Sequence, residues 1–126
     1  HRNHLSCISA TAQSIGTQPF SLNFSDPSTI VFGTNARRVQ GSRATLWAGD
    51  VLSDGVIRYT GGDNDRDLLL QALGGVIPTN TLAGYRAEDV NLDGVVRYTG
   101  ENNDRDIILQ SIGGVVPTNT RQEQMP

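Results

Sequence analysis

A 39-residue repeat governs what this chain can fold into. One copy opens at Asp50 and reads DVLSDGVIRYTGGDNDRDLLLQALGGVIPTNT, and the next opens at Asp89 and reads DVNLDGVVRYTGENNDRDIILQSIGGVVPTNT. Aligned without a gap, 22 of these 32 positions are identical. Nearly all the differences in the C-terminal half exchange one apolar residue for another, while the acidic positions are largely held. A chain of 126 residues is long enough for one ordinary domain, or for two small units sharing a core.

Each copy predicts an irregular acidic stretch followed by a short helix, over Asp65–Leu73 and Asp104–Ile112. Asn64 and Asn103 are suited to the N-cap, with Asp67 and Asp106 three positions on, as in a capping box. Gly74 and Gly113 provide the left-handed residue that ends a helix. Leu68, Leu69, Leu70, Ala72 and Leu73 leave the first helix little polar surface, and Ile107, Ile108, Leu109 and Ile112 do the same for the second. The simplest arrangement packs the helices together about a pseudo-twofold axis. Pro78 and Pro117 predict extended exits, and Arg121–Pro126 shows no pattern.

Residues 1–48 differ in character. They are rich in Ser, Thr, Asn and Gln, with short apolar runs HLSCISA, FSLNF, TIVF and ATLWA. Alternation over Phe20–Phe24 is the period-2 pattern of a half-buried strand. Three or four strands are expected here, too few for a comfortable independent sheet. The fold class read from the sequence is therefore α+β. A short β-rich segment, 1–48, packs on the tandem loop–helix unit, 49–126, or completes a sheet shared with another segment or subunit.

The acidic turns carry the chemistry. Eleven of the thirteen acidic residues lie between Asp50 and Asp106. Calcium takes six to eight oxygen ligands from carboxylates, amides, carbonyls and water, and an EF-hand loop places them at positions 1, 3, 5, 7, 9 and 12, with glycine at 6. Asp89, Asn91 and Asp93 fit positions 1, 3 and 5, Gly94 the turn, and Val95 the carbonyl. Counting straight on puts Gly100 at position 12, which has no side chain. If about six residues, Arg97–Asn102, bulge out, Asn103 becomes position 9 and Asp106 position 12, at a helix start where negative charge is favoured.

DVNLDGVV followed by NDRDIIL resembles the calcium loop plus exit helix of dockerin modules. With its RYTG insertion it is similar to a dockerin-like repeat near the C-termini of large secreted bacterial surface proteins. The resemblance covers residues 49–120 well and 1–48 loosely, through the HRNHL opening. It implies calcium ligands at Asp89, Asn91, Asp93, Val95 and Asp106, with Asn103 and Asp104 as secondary candidates. In the first copy it implies Asp50, Asp54, Val56 and Asp67, with Asn64 and Asp65 secondary. Leu52 stands at position 3 there and has no side-chain oxygen, so the first of the two sites is expected to be the less regular.

Plainer roles are expected for the remaining singled-out residues. Tyr59 and Tyr98 pack, and Arg58 and Arg97 neutralise the acidic turns. Arg66 and Arg105 are helix-start charges paired with nearby aspartates. His1 and His4 are solvent-exposed, while Trp47 and Cys7 are buried. Asn23-Phe24-Ser25 fits an N-glycosylation sequon. One cysteine allows no intrachain disulfide. The opening His1, without an initiator Met, suggests a processed fragment or the C-terminal piece of a longer protein.

Other functional classes find little support. All ten basic residues are Arg, dispersed without a basic stripe, which argues against a nucleic-acid partner. No run approaches the roughly 20 apolar residues of a membrane span. No nucleophile–base constellation or phosphate loop occurs, so neither catalysis nor a small-molecule substrate is expected. The expectation is a non-catalytic, calcium-binding module of a secreted or cell-surface bacterial protein, serving attachment to a protein partner. The alternative is a structural subunit that assembles with its own copies into a fibre or surface layer.

Overall fold

A computed structural model describes residues 3–14 and 16–126; His1, Arg2 and Ile15 lie outside the described residues, and with His1 the expectation of its exposure. The elements in chain order are β1 (Arg38–Gln40), β2 (Arg43–Thr45), β3 (Val56–Arg58), α1 (Asp65–Ala72), β4 (Thr81–Ala83), β5 (Val95–Arg97), α2 (Asp104–Ser111) and β6 (Thr120–Gln122). Mixed α+β composition follows directly. The strands form three two-stranded antiparallel ladders, β1–β2, β3–β6 and β4–β5.

The repeats interlock. The strand after the first helix, β4, pairs with the loop strand of the second copy, β5, and the strand after the second helix, β6, pairs with β3 of the first. The two helices touch each other, as the apolar pattern predicts. Their inner faces meet in one core built of Val51, Ile57, Leu69, Val90, Ile108 and Ile112, completed by Leu5 from the N-terminal segment. Burying that apolar surface is the main force holding the copies together.

Local signals set the helix ends. Asn64 and Asn103 accept the N–H of Asp67 and Asp106, which is half of a capping box; the carboxylates of Asp67 and Asp106 accept the asparagine Nδ2 rather than its backbone N–H. At the C-termini, Gly75 N–H reaches the Leu70 carbonyl and Gly74 N–H that of Gln71, with Gly114 and Gly113 repeating the pattern. This Schellman arrangement needs a left-handed residue at Gly74 and Gly113, whose φ values are +100° and +116°. Each helix runs one residue shorter than the sequence pattern suggests, because Leu73 and Ile112 serve as C-caps.

Three expectations need correction. Residues 121–126 have a clear role: most of β6 lies there, and Arg121 stacks 3.6 Å over the Trp47 ring and donates to the Ser111 carbonyl. Phe20–Phe24 forms no strand. Only the β1–β2 hairpin and two isolated bridges, His4 to Ala48 and Ser9 to Val31, are present among the described part of residues 1–48. Alternation alone does not make a strand without a neighbouring edge to pair with, and Phe20 stays 56% exposed. The Pro78 and Pro117 exits are tight turns, closed by Asn80 N–H to Ile77 O and Asn119 N–H to Val116 O.

Among the plainer expectations, Trp47 is half-buried against the core and Cys7 is only partly buried. His4 is half-buried rather than exposed, with its ring hydrogen-bonded to Asn3 Oδ1 at 2.6 Å.

Candidate metal loops

The loops between Asp50 and Asp67 and between Asp89 and Asp106 are built alike. The fourth residue of each, Ser53 and Leu92, takes a left-handed conformation with φ of +58° and +61°. For a leucine this is an uncommon conformation that costs about 1–2 kcal/mol. Its recurrence at the same position of both copies means the surrounding turn imposes it. Strain of this kind collects at functional loops.

The first loop residue anchors the turn from inside. Asp89 is fully buried, its Oδ2 accepts Gly94 N–H at 3.0 Å, and its Oδ1 accepts no hydrogen bond from any described residue. In the first loop Asp50 is more fully engaged: Oδ1 accepts Asp54 N–H and Oδ2 accepts Gly55 N–H, both at 3.1 Å. Asn91 Oδ1 accepts Asp93 N–H at 2.8 Å, and Asp54 and Asp93 accept the N–H of Val56 and Val95 at 2.9 Å. Val56 and Val95 thus start β3 and β5 just outside the turn.

Asp65 and Asp104 have a different place from Asp67 and Asp106. Asp104 is fully buried, with Oδ1 accepting Val90 and Asn91 N–H and Oδ2 accepting Arg97 N–H. Asp65 does the same for Val51, Leu52 and Arg58. Each is a strut that ties the start of a loop to its strand. Asp67 and Asp106 sit nearer the surface, holding the cap asparagine and the adjacent Arg66 or Arg105. The loop mouth gathers residues distant in sequence. Leu52, Asn64 and Asp67 line one cleft of about 240 Å³, and Asn91 Nδ2 donates to the Asn102 carbonyl at 2.8 Å.

The RYTG insertion now has a physical account. Arg58 and Arg97 pair with Asp54 and Asp93 at 2.5 and 2.6 Å. Tyr59 and Tyr98 pack on the core and each carries an arginine, Arg66 or Arg105, over its ring at 5.1 and 5.2 Å. Thr60 donates to the Pro117 carbonyl and Thr99 to the Pro78 carbonyl, both at 3.0 Å, so each insertion grips the other repeat. Gly61 and Gly100 offer their carbonyls to the cap asparagines. Reciprocal partners of this kind were invisible in the sequence except as an unexplained duplication.

The largest omission of the sequence reading is Asn3, which is 1% exposed. Its Nδ2 donates to the carbonyls of Ala87 and Asp89 at 2.9 and 2.7 Å, and its own carbonyl accepts the N–H of Gly49 and Asp50 at 2.8 and 3.1 Å. One residue thereby joins the entrances of both loops. Its only sequence signal is a polar residue beside the apolar Leu5.

Burial pushes Asp65 up to about 6; the three N–H bonds oppose this, and the Asp50 charge adds to it. Burial raises Asp50 and Asp104 as well. A folded state that holds these protons more tightly than the unfolded chain has its extra stability fully present only below the unfolded value of 3.8, and the Asp65 share is lost as pH rises through about 6. Burial lowers His4, which acts in the opposite sense as pH falls below 6.5. The large shift of Asp65 outweighs the smaller one of the imidazole. In chelator the chain should melt about 5 °C higher at pH 5 than at pH 7.5, from roughly 1–2 kcal/mol of linkage. Equal melting points at the two pH values would contradict this picture of buried, strained carboxylates.

Among the described residues, no three His, Cys, Asp or Glu side chains converge on one point, so carbonyls, amide oxygens and water would have to complete any coordination shell. In the second loop Asp89 Oδ1 is the oxygen left for a hard cation, while Asn91 Oδ1 and both Asp93 oxygens are engaged by the N–H of Asp93 and Val95 and by Arg97. A buried carboxylate oxygen without a donor costs several kcal/mol unless a cation or donor meets it. Comparisons with protein-family models, with curated proteins and with solved structures gave no match to this chain.

Proposed function

We propose that the two loops are calcium sites of a dockerin-like, non-catalytic module belonging to a secreted or cell-surface bacterial protein. The observation that carries this reading is the buried, unpartnered Asp89 Oδ1, set in a strained turn that the sequence repeats. In the second loop Asp89, Asn91, Asp93 and the Val95 carbonyl are the assigned ligands, with Asp106 closing the site and Asn103 beside it. In the first loop the assigned ligands are Asp50, Asp54, the Val56 carbonyl and Asp67, with Asn64 beside them. Asp65 and Asp104 act as struts for the turns. Calcium would neutralise each turn and hold it to its exit helix, so that binding contributes to folding.

Attachment to a protein partner is the preferred role. The assembly reading has its own support: Phe20, Ile30 and Val39 of the N-terminal segment are 56%, 78% and 60% exposed, and apolar surface of this kind favours association. A thermal melt in millimolar calcium and in excess chelator, with light scattering alongside, tests both. A calcium-dependent rise of about 8–14 °C is expected from the second loop alone, from about 2.7 kcal/mol for one site at a hundredfold excess over Kd, and more where the first loop also fills. Unchanged melting would remove the calcium reading, and growth in particle size would favour assembly over docking.

A further inference from the structure

We propose that Asn3 couples the two loops, so that a divalent cation held at Asp89 in the second loop orders the entrance of the first. This inference rests on the calcium reading above. The connection is short and wholly buried. Asp89 Oδ1 is buried with no hydrogen-bond donor among the described residues, and the main-chain carbonyl of Asp89 accepts Asn3 Nδ2 at 2.7 Å. The Asn3 carbonyl accepts the N–H of Asp50, whose carboxylate is the anchor of the first loop. Each loop's anchoring residue is therefore one hydrogen bond from Asn3, and any displacement of Asp89 on taking a cation bears on Asp50.

A second contact reinforces the same direction. Gly49, just before the first loop, has φ of +120° and lies so close to α2 that a Cβ there would stand 3.2 Å from Ile108 Cγ1 and 3.3 Å from Ile108 Cα. The exit helix of the second loop thus packs directly on the entrance of the first. The equivalent residue before the second loop is Glu88, which pairs with Arg86 at 3.5 Å, so the pseudo-symmetry is broken here. The loops also differ in readiness. Asp89 keeps an unengaged oxygen, whereas both oxygens of Asp50 already accept N–H bonds, and Leu52 removes a ligand from position 3. The second loop fills first and the first loop follows with its entrance already set, a linkage that is reciprocal in free energy.

The test is a calcium titration of the full chain by calorimetry and by amide resonances, using Asp93→Ala to disable the second loop and Asp54→Ala to disable the first. In Asp54→Ala, filling the second loop should shift the Gly49 and Asp50 amides. In Asp93→Ala, the first loop should bind calcium about tenfold more weakly than in the parent chain. Asn3→Ala and Asn3→Asp, which both remove the Nδ2 donor, should diminish that difference, the Gly49–Ile108 contact alone remaining. A parent chain that binds no calcium overturns the calcium reading itself. Calcium binding with unmoved Gly49 and Asp50 amides, or with equal first-loop affinity in Asp93→Ala, overturns the coupling alone. Undiminished coupling in a folded Asn3 variant would overturn the role of Asn3. Should both Asn3 variants fail to fold, the amide shifts in Asp54→Ala, where Asn3 is intact, decide.

Discussion

Deleting residues 120–126 should lower the melting temperature by about 12–20 °C, or leave the chain largely unfolded at 37 °C. The segment closes the first repeat, with Ile57, fully buried, opposite Arg121 in the β3–β6 ladder. Its loss also removes the Arg121–Trp47 stack and the bond from Arg121 to the Ser111 carbonyl. Two further ties go with it: Glu123 N–H to Gly55 O at 2.7 Å, and Ser6 N–H to Glu123 Oε1 at 2.6 Å. At about 1 kcal/mol per hydrogen bond, and more where a buried group is left unpaired, the loss is about 4 kcal/mol or greater. That is a large share of the roughly 5–15 kcal/mol that holds a domain folded. Circular dichroism of the truncated chain checks this, and a melting point within a few degrees of the parent would show that the tail is an accessory.

Replacing Asp104 with Ala should cost about 3–5 kcal/mol, measured by urea unfolding in chelator. Three N–H groups, those of Val90, Asn91 and Arg97, lose their acceptor inside the fold, and buried donors without partners carry about 1–3 kcal/mol each before relaxation. Asp104→Asn keeps one carbonyl oxygen and should cost roughly half as much. Two residues further on, Asp106→Ala removes only cap and surface ion-pair contacts and should cost about 0.5–1 kcal/mol. The contrast separates the strut from the proposed ligand. Asp104→Ala should damage the fold with or without calcium, while Asp106→Ala should chiefly weaken calcium binding. Equal costs for both would contradict the division of roles.

Much of this was legible in the residues. The cap asparagines, the glycine helix ends and the apolar helix faces are local signals, and local signals survive folding because they act within a few residues. The in-phase acidic positions likewise marked both turns. What stayed hidden was long-range pairing. Thr60 and Pro117 are 57 residues apart, and Asn3 and Asp89 are 86 apart; nothing in either local sequence names its partner. Strand content failed for the same reason, since Phe20–Phe24 alternates well but meets no edge, while Thr120–Gln122 has no pattern and finds β3. The roles of Asp65 and Asp67 could not be divided by charge alone. Their separation depends on which carboxylate turns inward at the helix start.

The most direct measurement is equilibrium dialysis of the chain against about 2 mM calcium, above the range typical of extracellular calcium modules, followed by metal analysis. Two ions bound per parent chain and at most one, held weakly, per Asp93→Ala chain are expected. No calcium retained by the folded parent chain would contradict the account, and the buried Asp89 oxygen would need another partner.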